Sequence, residues 1–149
     1  MATIPGLAED GVSRVVRRES ASRARAKLLQ GIAVTLGAMA GARGVGPEEM
    51  DQLAFLALSL DAIARSVDET ATAWEKRDYW IKADRFRAEW SWVEPLRRRL
   101  ATALRENDWS AASQTTREMA RRVAMVQLPK RGRGPRMWEG AWRRWSGST

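Results

Sequence analysis

The chain has 149 residues, contains neither cysteine nor histidine, and carries a formal net charge of +8 at pH 7. Without cysteine there is no disulfide framework, thiolate zinc site or thiol nucleophile, and without histidine the commonest general base and metal ligand are missing. The length fits one domain with a modest core. The lack of cysteine fits a cytoplasmic protein, which is the location we expect.

The remaining chemistry gives no catalytic motif. Carboxylates, lysines and one tyrosine are present, but helical di-metal sites normally add a Glu-x-x-His pair, which this sequence cannot form. The sequence has neither a phosphate-binding glycine loop nor a dinucleotide-binding fingerprint. We therefore expect a protein that is not an enzyme, with no catalytic residues, no metal and no cofactor.

The charge is unevenly distributed along the chain. Residues 1–46 carry a net charge of +4 and residues 129–149 a net charge of +5, whereas residues 47–78 carry −5. Twenty-two of the 26 basic residues are arginine, whose planar fork of donors matches a phosphate and also stacks on bases. The pattern predicts a polyanionic partner, with nucleic acid first.

The first predicted element is a helix from about Asp10 to Gly41, with a break near Ser20, where serine can cap a new start. Its second half contains small residues such as Ala33 and Gly37 that would let another helix come close. Residues 28–42 form an uncharged run of 15 residues, shorter than the roughly 20 that a membrane span needs. We expect a core helix and no membrane span.

The clearest periodicity follows a glycine-rich turn at residues 41–46 and begins at Pro47, a favoured first helical residue. Apolar residues then step by three and four without a miss: Met50, Leu53, Ala57, Leu60, Ala64, Val67, Ala71 and Trp74. This stripe predicts a long helix packed along its length in a bundle.

Three further helices are predicted over residues 79–93, 95–106 and 109–127. A break is expected at Lys76–Asp78, with Asp78 as a cap, and another at Pro95, because proline lacks a backbone donor. Asn107 and Asp108 form a turn and cap. The predicted fold class is all-α: residues 1–128 form a compact bundle of about five helices, and residues 129–149 form a basic, tryptophan-rich tail.

Residues 79–99 combine aromatic and basic side chains, as single-stranded nucleic-acid sites do. Trp74, Phe86 and Trp90 fit the apolar stripes and are predicted to lie in the core. Trp80 and Trp92 lie off the stripes and are predicted to stack on bases or dock on a partner. The predicted phosphate contacts come from all the basic segments: Arg14, Arg17, Arg18, Arg23, Arg25, Lys82, Arg85, Arg87, Arg97, Arg98, Arg99, Arg121, Arg122, Lys130, Arg131, Arg133 and Arg136.

The tail contains Trp138, Trp142 and Trp145 at i, i+4 and i+7, which share one face of a short amphipathic helix. Three alternatives stay open for these rings. They fold back onto the chain's own bundle, dock on a partner subunit, where tryptophan and arginine are favoured anchors, or lie on an anionic membrane surface.

Two functional classes follow from these patterns. The first is a non-catalytic subunit of a ribonucleoprotein that contacts RNA or single-stranded DNA through arginines. The second is a helical adaptor or peripheral membrane protein whose basic-aromatic surface binds an acidic protein or anionic lipid. No helix-turn-helix signature is evident, so sequence-specific base recognition is not expected.

Within the first class, the chain resembles the small subunits of CRISPR effector complexes in length, helical character and basic charge. Ribosome-associated and phage DNA-packaging proteins share the same outline. The CRISPR resemblance implies a role in antiviral defence, no nuclease activity, other subunits as partners, several copies of the chain per complex, and arginine contacts to the target or displaced strand.

Overall fold

The structure, a computed structural model, describes residues 20–128 and 137–148. Those residues form helices and no strand, which confirms the all-α prediction. The helices, in chain order, are α1 (Ala21–Met39), α2 (Pro47–Glu75), α3 (Trp80–Glu89), α4 (Val93–Arg105), α5 (Trp109–Arg122) and α6 (Ala141–Ser148).

Helix α2 is the centre of the bundle and packs against α1, α3, α4 and α6, while α5 packs mainly on α4. The predicted stripe is its buried face: Leu60 and Ala71 are fully buried and Leu53 is nearly so. The helix begins at Pro47, as predicted, and Glu49 accepts a hydrogen bond from the Gly46 backbone N–H at 2.8 Å. Contact with four other helices along one buried face explains why α2 has the most regular apolar pattern in the sequence.

The breaks before α3 and α5 each contain a residue in the left-handed backbone conformation. Asp78 has a φ of 64° and Asn107 a φ of 53°, a conformation that these two residue types tolerate better than most. The Tyr79 N–H donates to the Trp74 carbonyl at 2.9 Å, and the Asp78 N–H donates to the Glu75 carbonyl at 3.0 Å. This pair of bonds is a Schellman motif. Asp78 therefore ends α2 and does not cap α3, which corrects the prediction; the N-cap of α3 is Tyr79.

Asn107 ends α4 in the same way, and Asp108 caps α5 as predicted. The Asp108 side chain accepts a hydrogen bond from the Ala111 N–H at 3.0 Å. The break expected at Pro95 lies instead at residues 90–92, and Pro95 is the third residue of α4. Proline is accepted there because an N–H in the first helical turn has no intrahelical partner.

Helix α1 begins where the sequence predicted a break. Ser20 is its N-cap, and the Ser20 hydroxyl accepts a hydrogen bond from the Arg23 N–H at 3.1 Å. Gly37 does not make the close helix contact, because it is exposed and a Cβ added there would have no neighbouring atom within 4 Å. The close contact is at the buried Gly31, where an added Cβ would lie 3.3 Å from Cζ of Phe55 on α2. A small residue does allow the close approach of α1 to α2, as predicted, but that residue is Gly31 and not Gly37.

Helix α6 lies on α2, so the tail's tryptophans fold back onto the chain's own bundle. Trp138, Ala141 and Trp145 are buried. The helix begins only at Ala141, so Trp138 lies in the preceding turn and not on a shared helical face. Residues 129–136 lie outside the described residues, and the domain boundary at residue 128 stays a prediction.

Across residues 20–128 and 137–148, none of the helices is both long and apolar enough to cross a membrane.

Candidate nucleic-acid interface

Arg25, a predicted phosphate contact, is an interior residue. Its side chain donates hydrogen bonds to the hydroxyls of Ser66 at 2.8 Å and Thr70 at 3.1 Å. Its guanidinium carbon lies 4.8 Å from the ring centroid of Phe86 and 5.9 Å from that of Trp90. Burial lowers the pKa of Arg25, and the nearby Glu89 charge opposes that shift. The prediction is wrong for this residue, because Arg25 joins α1, α2 and α3.

Arg87 is bound to the acidic helix. It donates to Asp68 at 2.8 Å and to Glu75 at 3.2 Å, both on α2. These hydrogen bonds raise the pKa of Arg87, chiefly through Asp68. The two carboxylates compete with a phosphate for this guanidinium, and the predicted phosphate contact of Arg87 stays a prediction.

All three consecutive arginines on α4 form ion pairs within the molecule. Arg97 donates through Nε to Glu94 at 2.9 Å, and its Nη1 lies 4.0 Å from Asp61 on α2. The hydrogen bond from Arg97 lowers the pKa of Glu94. Arg99 forms an ion pair with Glu118 on α5. Arg98 lies 3.7 Å from Glu94 and keeps 72% of its side chain exposed, the largest fraction of the three.

The acidic residues of α2 explain several of these pairings. Asp61, Asp68 and Glu75 are the partners of Arg97 and Arg87. Asp51 accepts hydrogen bonds from the backbone N–H groups of Gly140 at 3.1 Å and Trp142 at 2.9 Å, at the start of α6. The negative segment of the sequence is thus an internal counter-charge for the helices packed around it.

The other predicted contacts differ in accessibility. Six cations from the predicted set are exposed in addition to Arg98: Arg23, Lys82, Arg85, Arg99, Arg121 and Arg122. The predicted contacts of the two chain ends lie outside the described residues: Arg14, Arg17, Arg18, Lys130, Arg131, Arg133 and Arg136.

The most unusual surface is the turn between α2 and α3, residues 76–85, which we name the α2–α3 corner. Tyr79 is 50% exposed, Trp80 57% and Ile81 70%. The left-handed Asp78 ends α2 abruptly, so these three residues lie at the start of α3, where none of the other described helices covers them. Three consecutive large apolar side chains on a surface indicate a contact site, because such groups are normally dispersed.

Basic side chains lie in the same segment as these rings. The Arg77 guanidinium carbon lies 5.7 Å from the Tyr79 ring centroid, and Lys82 Nζ lies 4.5 Å from the ring centroid of Trp74. Lys76 and Arg85 are exposed in the same segment. None of these four cations forms an ion pair within the described part of the chain.

A ladder of packed rings supports the corner from within the bundle. Trp74 and Phe86 meet edge to face with centroids 4.9 Å apart, Phe86 and Trp90 lie 6.4 Å apart, and Trp90 and Trp92 stack at 6.2 Å. Such ring pairs add stability beyond the area they bury. The ladder packs the second half of α3, at Phe86, against the end of α2 at Trp74.

The other predicted stacking residues are less accessible. Trp92 is half-buried, and Trp90 stacks on it, which corrects its predicted exposure. Trp138 and Trp145 are buried, so neither can stack on a base without leaving the bundle. Trp142 is half-buried, with its ring centroid 5.5 Å from that of Trp145. Of the five predicted rings, Trp80 alone is largely exposed.

Helical periodicity in the sequence does not identify four other members of the corner as exposed: Lys76, Arg77, Tyr79 and Ile81. The available signal was that Ile81, like Trp80, falls outside the apolar stripe. No group of three or more carboxylates close enough to hold a metal ion occurs among residues 20–128 and 137–148.

The chain matches no protein-family model, no curated protein and no solved structure. The surface geometry of the protein is therefore the basis for its proposed function.

Proposed function

We propose that this protein is a non-catalytic nucleic-acid-binding subunit that holds single-stranded RNA or DNA at the α2–α3 corner. The exposed ring of Trp80, at the start of α3 in a segment whose four cations form no ion pair with any described residue, is the single observation that carries the proposal. Single-strand binding sites combine such rings, on which bases stack, with cations that follow the backbone.

Each part of the corner has a role in this proposal. Trp80 and Tyr79 offer flat faces to unpaired bases, which a duplex would keep stacked in its interior. Arg77, Lys82 and Arg85 contact the phosphates between them. Tyr79 is the N-cap of α3 but makes no side-chain capping hydrogen bond, and the first turn of α3 contains no acidic residue. A phosphate beside these backbone N–H groups would therefore meet no like charge from that turn.

We further propose that the subunit belongs to a ribonucleoprotein, in the manner of the small subunits of CRISPR effector complexes. Length, the all-helical fold and the excess of arginine support this assignment. The contacts would be independent of sequence, because stacking and phosphate contacts tolerate every base.

The test compares two tryptophans. We expect Trp80→Ala to weaken binding of a short oligothymidylate or oligouridylate by about 1–3 kcal/mol, the usual contribution of one stacked base. Trp92→Ala is the matched control, because its ring is occupied by Trp90; its binding should stay near the wild-type value once both variants are shown to be folded by circular dichroism. Equal affinities for wild type and Trp80→Ala would contradict the proposal.

Ile81 favours a second candidate function, adsorption to an anionic membrane surface. An aliphatic side chain 70% exposed beside Trp80 and Tyr79 adds nothing to base stacking. However, aromatic and aliphatic residues flanked by lysine and arginine are typical of proteins that lie on charged bilayers.

One pair of variants separates the two functions. Ile81→Ser should leave oligonucleotide binding unchanged if the corner stacks bases, and should reduce binding to phosphatidylserine-containing vesicles if it inserts into lipid. Firm vesicle binding by wild type, sensitive to Ile81→Ser and without oligonucleotide binding, would replace the first proposal with the second.

A further inference from the structure

A groove of about 500 Å³ runs along the hairpin formed by α4 and α5, on helices that do not form the α2–α3 corner. Its floor contains Ala103 and Thr115, which are buried, and its rim contains Arg98, Thr102, Glu106 and Asp108. Small side chains along the floor allow a helix from another molecule to approach closely.

The two ends of the rim carry charges of opposite sign. Arg98, Thr102 and Glu106 are four residues apart, so they form one continuous ridge on α4 with steps of about 6 Å. All three are exposed. Arg98 contributes a positive charge at the open end of the hairpin, while Glu106 and Asp108 contribute negative charge at the closed end. Glu106 has no ion-pair partner within the described ranges.

This polarity restricts what can occupy the groove. A nucleic-acid backbone would be attracted by Arg98 and repelled by Glu106 and Asp108 eight to ten residues further on. A uniformly acidic or basic partner would likewise be repelled at one end. An occupant that satisfies the whole groove must itself be charged in opposite senses at its ends and must lie antiparallel to α4.

The chain supplies such a surface itself. We infer that two copies of this chain associate through the α4–α5 groove as a two-fold symmetric dimer. A two-fold axis near Thr102 places Arg98 of each copy opposite Glu106 of the other, and the short threonine side chains meet on the axis. One patch that binds itself is the defining feature of an isologous interface. The two α4–α5 hairpins together then form a four-helix contact.

The test is a charge swap measured by sedimentation equilibrium on the full chain. Wild type should show a monomer–dimer equilibrium. Arg98→Glu and Glu106→Arg should each raise the dimer dissociation constant on the order of tenfold or more, because each variant sets like charges opposite each other twice. Arg143→Glu, an equal charge change at an exposed position of α6, is the control and should leave the constant near the wild-type value.

A mixture of the two variants tests whether Arg98 of one copy faces Glu106 of the other. In a one-to-one mixture of Arg98→Glu with Glu106→Arg, every facing pair is again opposite in sign, so a heterodimer should form with nearly wild-type affinity. Thr102→Arg, which sets two cations against each other on the axis, should prevent association. A wild-type chain that stays monomeric, or a mixture that stays as weak as its components, would overturn the inference.

This inference does not depend on the nucleic-acid proposal. Glu106→Arg should lose dimerisation while each monomer still binds the oligonucleotide and still depends on Trp80 for that binding. Trp80→Ala should lose oligonucleotide affinity while dimerisation is kept.

Discussion

At the scale of single residues, the type of side chain was predictable but its partner was not. Arg25, Arg87 and Arg97 appear in the sequence as equivalent members of basic segments. Arg25 is enclosed by two rings and two hydroxyls, while Arg87 and Arg97 pair with carboxylates on α2. A sequence separation of more than 40 residues between Arg25 and Thr70 places such pairs beyond any local pattern.

Arg25 gives the first prediction. Arg25→Ala removes two hydrogen bonds from a charged donor and the cation–π contacts, and should lower the free energy of unfolding by roughly 1.5–3 kcal/mol. Arg23→Ala is the matched control, two residues earlier on the same helix and exposed, and should change it by less than about 0.5 kcal/mol. Urea unfolding measures the stability of both variants. Equal midpoints for Arg25→Ala and Arg23→Ala would show that Arg25 is not a structural residue.

At the scale of elements, periodicity predicted α2 correctly. Leu96, Leu100 and Leu104 of α4 follow the same rule and are buried, because a helix in a bundle must turn its apolar side inward whatever its neighbours are. The ends of the helices were less predictable. Asp78 serves as a left-handed C-terminal residue and Pro95 as a first-turn residue, and each role is as compatible with the residue type as the one predicted.

The contact between α2 and α6 gives the second prediction. The Asp51 carboxylate receives two backbone N–H groups at the start of α6, so Asp51→Ala leaves them without this partner and should cost about 0.5–2 kcal/mol, as the loss of a helix cap does. Asp84→Ala, an exposed carboxylate on α3, is the control and should be nearly neutral.

Hydrogen exchange measured by NMR locates the effect of Asp51→Ala. The amides of Gly140 and Trp142 should lose protection in this variant and keep it in Asp84→Ala. Unchanged protection at both amides would mean that packing alone holds α6 in place.

At the scale of the whole molecule, the sequence showed a basic chain with an acidic middle and a flexible-looking tail. Folding sets much of that acidity against arginines and against the start of α6, so net charge along the sequence is a poor guide to charge on the surface. The tail contributes Trp138, Ala141 and Trp145 to the buried interior. The packing of α6 on α2 therefore makes the end of the chain part of the bundle.

The third prediction follows from this packing. Deleting residues 137–149 removes two buried tryptophans, each worth about 3–5 kcal/mol as a truncation, a loss comparable with the 5–15 kcal/mol that holds a typical domain together. The shortened chain should be unfolded, or its midpoint of urea unfolding should lie at a much lower concentration than that of wild type. Arg143→Ala with Arg144→Ala, which alters only exposed side chains of α6, should leave the midpoint unchanged. A shortened chain as stable as wild type would mean that α6 is an appendage.

The central claim is that the α2–α3 corner binds single-stranded nucleic acid through Trp80 and the cations beside it, and the salt dependence of oligonucleotide binding tests it most directly. Fluorescence anisotropy over a series of salt concentrations should give a straight log–log plot whose slope is about −0.7 per phosphate contacted. Lys82→Ala with Arg85→Ala should make the slope shallower by about 1.4, two contacts at that value. Trp80→Ala should lower affinity without changing the slope, and Arg117→Ala, an exposed arginine on α5, should do neither. A slope that is the same in wild type and in the Lys82 and Arg85 variant, or no measurable binding of any single strand, would contradict the account.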